Sequence, residues 1–124
     1  SGSHTFNMST KAVDDGTTTY TNIIATYKGE ELDSDNYYVF FQNISNIQNS
    51  GTATSDPSGK PAITIELSYS TGRATDVVKI YPSDSAKYTA TLNGETLCLV
   101  NKTYCTKLSD CLQSLIKGET VDSL

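Results

Sequence analysis

The chain has no tryptophan, one histidine, three cysteines and nine basic residues among its 124 residues. Histidine is the usual general base at neutral pH. The single one, His4, lies in the segment Ser1–His4, which has the composition of an expression-tag remnant. We therefore expect no functional role for residues 1–4. A serine or cysteine nucleophile then has no base to activate it, and we predict no catalytic residues.

Charge and hydropathy exclude two further classes. The formal net charge is −5, and the lysines and arginines are scattered along the chain. Nucleic acids and anionic membranes are recognised by clustered basic side chains, so we expect neither as a partner. No stretch approaches the roughly 20 apolar residues of a transmembrane helix. Glycine-rich phosphate loops and EF-hand spacing are also absent from the sequence, so we predict no cofactor and no metal.

The cysteines are Cys98, Cys105 and Cys111. An odd number without Cys-x-x-Cys spacing is typical neither of a disulfide framework nor of a zinc site. Free cysteine is among the most frequently buried residue types, so we interpret all three as structural core thiols. A Cys98–Cys105 disulfide is the alternative that the sequence leaves open.

Hydrophobic periodicity predicts the secondary structure. Apolar residues recur with helical spacing from Tyr37 to Ile47, after an N-cap at Asp33 or Ser34, and again from about Thr103 to Lys117 before Gly118. Strand patterns occupy the segments Thr17–Lys28, Ile63–Tyr69, Asp76–Tyr81, Lys87–Leu92 and Thr96–Val100, with Asn93-Gly94 as a hairpin turn. Thr5–Gly16 shows no period and is predicted to be a loose lead-in, and Glu119–Leu124 a frayed tail.

This order, strand, helix, four strands, helix, predicts a single α+β domain over residues 5–124. We expect an antiparallel sheet of about five strands with both helices packed on one face and the other face exposed or lightly covered.

Two groups of residues are candidates for a site. The acidic cluster Glu30, Glu31, Asp33 and Asp35 precedes a helix, where acidic side chains favour the helix dipole, so we interpret it as structural. The tyrosines on strands are the stronger candidates, because tyrosine gives a large contact area at a low entropy cost. We name Tyr69, Tyr81 and Tyr88 as possible ligand or partner contacts. The alternative is that they are cross-strand packing pairs.

Three groups of short motifs resemble the C-terminal part of the bacterial domain family of unknown function DUF4340, over about Thr19 to Val121. They are Tyr27-Lys28-Gly29-Glu30-Glu31-Leu32-Asp33 with Asn36-Tyr37 and Phe40-Phe41-Gln42; Gly59-Lys60-Pro61, Ile63-Thr64-Ile65 and Tyr81-Pro82; and Leu92-Asn93-Gly94, Leu99-Val100-Asn101-Lys102, Lys107-Leu108 and Gly118. Where the family tends to have aliphatic or aromatic residues, this chain has Cys98 and Cys105, which favours core thiols.

The resemblance implies a piece of a longer, membrane-anchored protein of the bacterial cell envelope, outside the cytoplasm and associated with a transporter in some members. It brings no catalytic residues and no cofactor. The membrane would be reached only through a segment absent from this chain.

From the residues and the resemblance together we predict a non-enzymatic interaction or scaffolding domain. Its partner would be another envelope protein, contacted through a sheet edge or the exposed sheet face. The alternative is a glycan- or peptide-binding module that uses the strand tyrosines. A hydrolase ranks third and would need Glu30 or Glu31 in a pocket with other acids.

Overall fold

A computed structural model describes residues 2–14, 16–17, 19–69, 74–83 and 87–124, with the backbone alone at 2–5, 8–14 and 19–23. In this part of the chain, two helices and one mixed sheet of seven strands confirm the α+β class. The elements are β1 (Gly2–Asp14), β2 (Thr19–Tyr27), β3 (Glu30–Glu31), α1 (Ser34–Ser45), β4 (Ile63–Tyr69), β5 (Asp76–Pro82), β6 (Lys87–Leu92), β7 (Glu95–Asn101) and α2 (Lys102–Lys117). The strand order in the sheet is β3-β2-β1-β4-β5-β6-β7.

The sheet differs from the predicted antiparallel one because of β1. The prediction of a loose lead-in over Thr5–Gly16 is wrong. β1 lies in the middle of the sheet, antiparallel to β2 and parallel to β4, and Gly2–His4 of the predicted tag remnant pair with Ile63–Ile65. The fully buried Phe6 anchors the strand, with its ring centroid 5.4 Å from that of Phe40. Hydrophobic alternation missed β1 because backbone pairing on both sides can hold a strand that has few apolar residues.

The strands from β4 to β7 form the predicted antiparallel meander. Asn93 and Gly94 have φ values of 51° and 85°, as a type I′ turn requires, so this prediction is confirmed. The predicted turn at Thr71-Gly72 lies outside the described residues. One irregularity was not predicted: the register shifts between Ala90 and Thr91, where β7 contains a bulge at Leu97.

Both helices begin within a residue of the predicted start, and α2 ends at Lys117 as predicted. α1 is shorter than its apolar stripe predicted: it ends at Ser45, before Ile47, because Asn46 leaves the helical conformation with a φ of −101° and a ψ of 52°. The Asp33 side chain caps α1 by accepting a hydrogen bond from the Asn36 amide at 2.9 Å. Gly118 ends α2 in the left-handed region with a φ of 76°, and the Glu119 amide donates to the Ser114 carbonyl at 2.8 Å. The helices pack against each other and against one sheet face, where one core cluster forms.

The opposite sheet face is lightly covered, as expected. After α1, the chain passes the outer edge of β7, where Leu99 exchanges backbone hydrogen bonds of 2.8 and 2.9 Å with Ser50 and Gly51. Residues 52–58 then line a shallow depression over Thr89 and Leu99. The Lys87 ammonium donates to the Ser50 hydroxyl at 2.6 Å and to the Asn101 side chain at 2.9 Å, which ties this connection to the sheet.

The prediction that Glu119–Leu124 is frayed is wrong. This tail segment folds back along the helices, and Val121 is only 5% exposed. Composition suggested fraying because the segment is mostly polar. Its order comes from helix side chains that bind its backbone, a contact that composition does not reveal.

Candidate functional site

The three tyrosines predicted as contacts do not share a face. Tyr69 packs against the core and so lies on the helix-covered face of its strand. Tyr88, which pairs with Pro82, lies on the same face. Tyr81 pairs with Thr89 on the opposite face. The Tyr69 hydroxyl donates to Asp76 Oδ2 at 2.8 Å. A flat platform of these three side chains is therefore not formed, and their contact with a ligand or partner stays a prediction.

The cysteines and Asp33, which the sequence also singled out, have structural roles in the fold. All three cysteines are buried free thiols, which agrees with the core interpretation and not with a Cys98–Cys105 disulfide. Burial raises the pKa of Cys98 and Cys111, and raises that of Cys105 to about 11. In the acidic cluster, Asp33 caps α1. No group of three metal-ligating side chains occurs in the part of the chain that the structure describes.

An apolar groove of about 490 Å³ opens between the C-terminal half of α1 and the end of the sheet. The bulge in β7 brings Leu97, which is 49% exposed, to its rim. Asp76 forms part of its polar wall and accepts hydrogen bonds from Tyr69 and, at 3.1 Å, from Asn93 Nδ2. The groove is lined by Phe41, Ile44, Ser45, Asn46, Ile47, Leu67, Tyr69, Asp76, Val78, Leu92 and Leu97.

The outer edge of β2 is a second candidate. β3 pairs only with Thr26 and Tyr27, and the Leu32 amide donates to the Ala25 carbonyl at 2.8 Å. The N–H and C=O groups of alternate residues in a strand point to the same side. Those of Thr19, Thr21 and Ile23 therefore point away from β1, on the same side as those of Ala25. No strand among the described residues pairs with the outer side of residues 19–24.

A third candidate is the groove between α1 and α2 that holds the tail segment, which we call the tail groove. Asn36 and Asn43 lie two helical turns apart on α1 and face it. Asn36 Nδ2 donates to the Glu119 carbonyl at 3.0 Å, and Asn36 Oδ1 accepts from the Val121 amide at 3.2 Å. Asn43 Nδ2 donates to the Asp122 carbonyl at 2.9 Å, and Asn43 Oδ1 accepts from the Leu124 amide at 3.0 Å.

The floor of the tail groove is buried. Asn43 is 4% exposed, and its Nδ2 lies 3.7 Å from Cys111 Sγ. The Tyr104 hydroxyl donates to the Asn43 carbonyl at 2.6 Å and so satisfies one of the last carbonyls of α1. Burial, and then the charge of Asp122, raises the pKa of Cys111, so its thiol stays neutral under the tail segment.

Sequence reasoning missed Asn36 and Asn43. Their spacing of two turns on a predicted helix was the available signal. It is a weak signal, because asparagine is also common on exposed helix surfaces. What distinguishes Asn43 is its burial among hydrogen-bond partners from the far end of the chain, which only the folded structure shows.

No protein-family model, curated protein or solved structure matches this chain. The resemblance to the DUF4340 family therefore stays a prediction. No helix in the described part of the chain combines the length and the apolar character of a membrane-spanning segment.

Proposed function

We propose that this chain is a non-enzymatic interaction domain that binds an extended strand of a partner protein along the outer edge of β2. The observation that carries the proposal is that, within the part of the chain that the structure describes, no strand pairs with the outer side of residues 19–24. A strand edge presents rows of N–H and C=O groups, and a second chain can pair with them by strand addition.

The composition of β2 supports this assignment. Proteins usually protect a sheet edge with charged side chains or proline. The nine residues of β2, TYTNIIATY, include no charged residue and no proline. The edge at the other end of the sheet is closed around Leu99 by Ser50 and Gly51. β2 is therefore the better template for an added strand.

Charge favours a different protein over a second copy of this chain as the partner. The chain carries a net charge of −5, and the exposed Glu30 and Glu31 lie beside the same edge. Pairing two copies through β2 would bring like charges together, which opposes association. We propose a neutral or basic partner strand. The resemblance to envelope proteins supports a partner in the bacterial cell envelope, outside the cytoplasm.

The test uses one position with two replacements. Thr21→Pro removes an outward N–H group, which an edge strand tolerates, whereas Thr21→Val removes the same hydroxyl and keeps the N–H. Each variant of the 124-residue chain captures partners from an envelope extract, and the captured protein is then purified and titrated. We expect Thr21→Pro to weaken its binding at least tenfold and Thr21→Val to leave it within twofold.

Hydrogen exchange checks the location of binding. A bound strand should slow exchange of the Thr19, Thr21 and Ile23 amides, while the Leu99 amide, already bonded to Gly51, serves as the internal control. Equal binding by the two Thr21 variants would refute the proposal. So would self-association of the wild-type chain through β2 in sedimentation experiments, since it would make a second copy the partner.

A further inference from the structure

The tail groove recognises the backbone of the tail segment. Asn36 pairs with the carbonyl of one residue and the amide two residues later, and Asn43 repeats the pattern three residues further along. Each asparagine thus offers one donor and one acceptor to an extended chain, as a neighbouring strand would. Hydrogen bonds of this kind do not depend on which side chains the extended segment carries.

Only two side chains of the tail segment add selectivity. Val121 is buried, and Leu124 packs against the core while staying partly exposed. The side chains of Thr120, Asp122 and Ser123 are exposed. Any extended segment with aliphatic residues three positions apart could make the same contacts.

We propose that the tail groove is a binding site for an extended peptide with aliphatic residues at the positions of Val121 and Leu124, and that the tail segment occupies it as an internal ligand. The site shares no residue with the outer edge of β2, so it stands independently of the strand-addition proposal.

The energetics favour exchange of one peptide for another over an empty groove. A buried amide without partners costs about 1–3 kcal/mol, so Asn43 favours a bound backbone at all times. The tail segment is joined to α2 through Gly118, and this attachment gives it a high effective concentration. A peptide from another protein must therefore displace the tail segment. The apparent affinity of that peptide equals its intrinsic affinity multiplied by the fraction of molecules in which the groove is open.

The test loosens the internal ligand without changing the asparagines. Val121→Ala in the 124-residue chain shrinks the buried anchor of the tail segment. The probe is the peptide ETVDSL with blocked ends and a fluorophore, and its binding is followed by anisotropy. We expect it to bind Val121→Ala at least tenfold more tightly than the wild-type protein. Val121→Asp, which also charges the anchor, should increase the affinity further if it folds.

Two modified peptides test how the probe is recognised. N-methylation of the peptide amide that corresponds to Val121 removes the hydrogen donated to Asn36, and replacement of this valine by aspartate removes the apolar anchor. Each change should weaken binding to Val121→Ala at least tenfold. Alanine in place of the threonine that corresponds to Thr120 should leave binding within twofold, because that side chain is exposed.

Cys111 reports the state of the groove directly. Its thiol lies 3.6 Å from the Asp122 carbonyl, under the tail segment. Alkylation of Cys111 should be faster in Val121→Ala than in the wild-type protein, and added peptide should restore protection. Cys98 and Cys105 are core controls whose labelling should not change. Absence of peptide binding by folded Val121→Ala, or peptide binding without protection of Cys111, would overturn the proposal.

Discussion

Replacing Asn43 by alanine tests the energetic role of the buried amide. The change removes hydrogen bonds of 2.9 and 3.0 Å to the backbone of Asp122 and Leu124. At about 1 kcal/mol net for each bond, the loss is about 2 kcal/mol. The 3.7 Å contact of Asn43 Nδ2 with Cys111 Sγ is too long to add appreciably to this loss. Asn36→Ala removes two similar bonds at a half-buried position where water can replace them, so it should cost about 1 kcal/mol.

Urea unfolding of these variants of the 124-residue chain measures the losses from the shift of the midpoint at constant m value. Gln42→Ala is the matched control, since it deletes an exposed amide one position away on α1. The double variant of Asn43→Ala with Val121→Ala should lose less than the sum of the single variants, because both loosen the same segment. A loss below about 0.5 kcal/mol for Asn43→Ala, within the range of ordinary surface substitutions, would refute the reasoning.

Three other measurements check the packing around this region. Tyr104→Phe deletes the 2.6 Å hydrogen bond to the Asn43 carbonyl and should lower the free energy of unfolding in urea by about 1.5 kcal/mol. A much smaller loss would contradict a buried hydrogen bond at this position. Gly118→Ala must hold alanine at a φ of 76° and should cost about 1 kcal/mol, although no described atom beyond the adjoining backbone lies within 4 Å of the added methyl group. The Cys105 thiol has its pKa raised to about 11 by burial, while an unfolded thiol ionises near about 8.5. As pH rises, the unfolded state therefore loses this proton before the folded state does. The stability that the buried neutral thiol contributes is intact below about pH 8.5 and falls as pH rises towards 11. Cys105→Ser should reduce this loss of stability, measured as urea midpoints from about pH 7 to 11.

Local patterns predicted the local structure well. Asp33 as a helix cap, Asn93-Gly94 as a hairpin turn and Gly118 as a helix stop each depend on the chemistry of a few neighbouring residues, and each is confirmed. The apolar stripes of α1 and α2 identified the helix faces that are buried. Periodicity was informative in these segments because one face of each element meets a single core.

The errors fall where distant parts of the chain meet. Residues of β1 pair with β4, about half the chain away, and little in the sequence near Phe6 reports that pairing. The tail segment was predicted to fray because its stabilising partners lie on α1. Tyr69, Tyr81 and Tyr88, whose contact with a ligand or partner stays a prediction, are divided between the two faces because the position of each residue along its strand, and not its type, sets the face.

The sequence by itself determined both helices, the strands β2 and β4 to β7, the Asn93-Gly94 turn, and that the cysteines are core residues. Tertiary structure alone decided that β1 lies inside the sheet between β2 and β4, that no described strand pairs with the outer side of residues 19–24, and that Asn36 and Asn43 bind the tail segment. The physical reason is the range of the interactions: capping, turn geometry and periodicity act over a few residues, whereas strand order and buried hydrogen bonds depend on which distant segments come together.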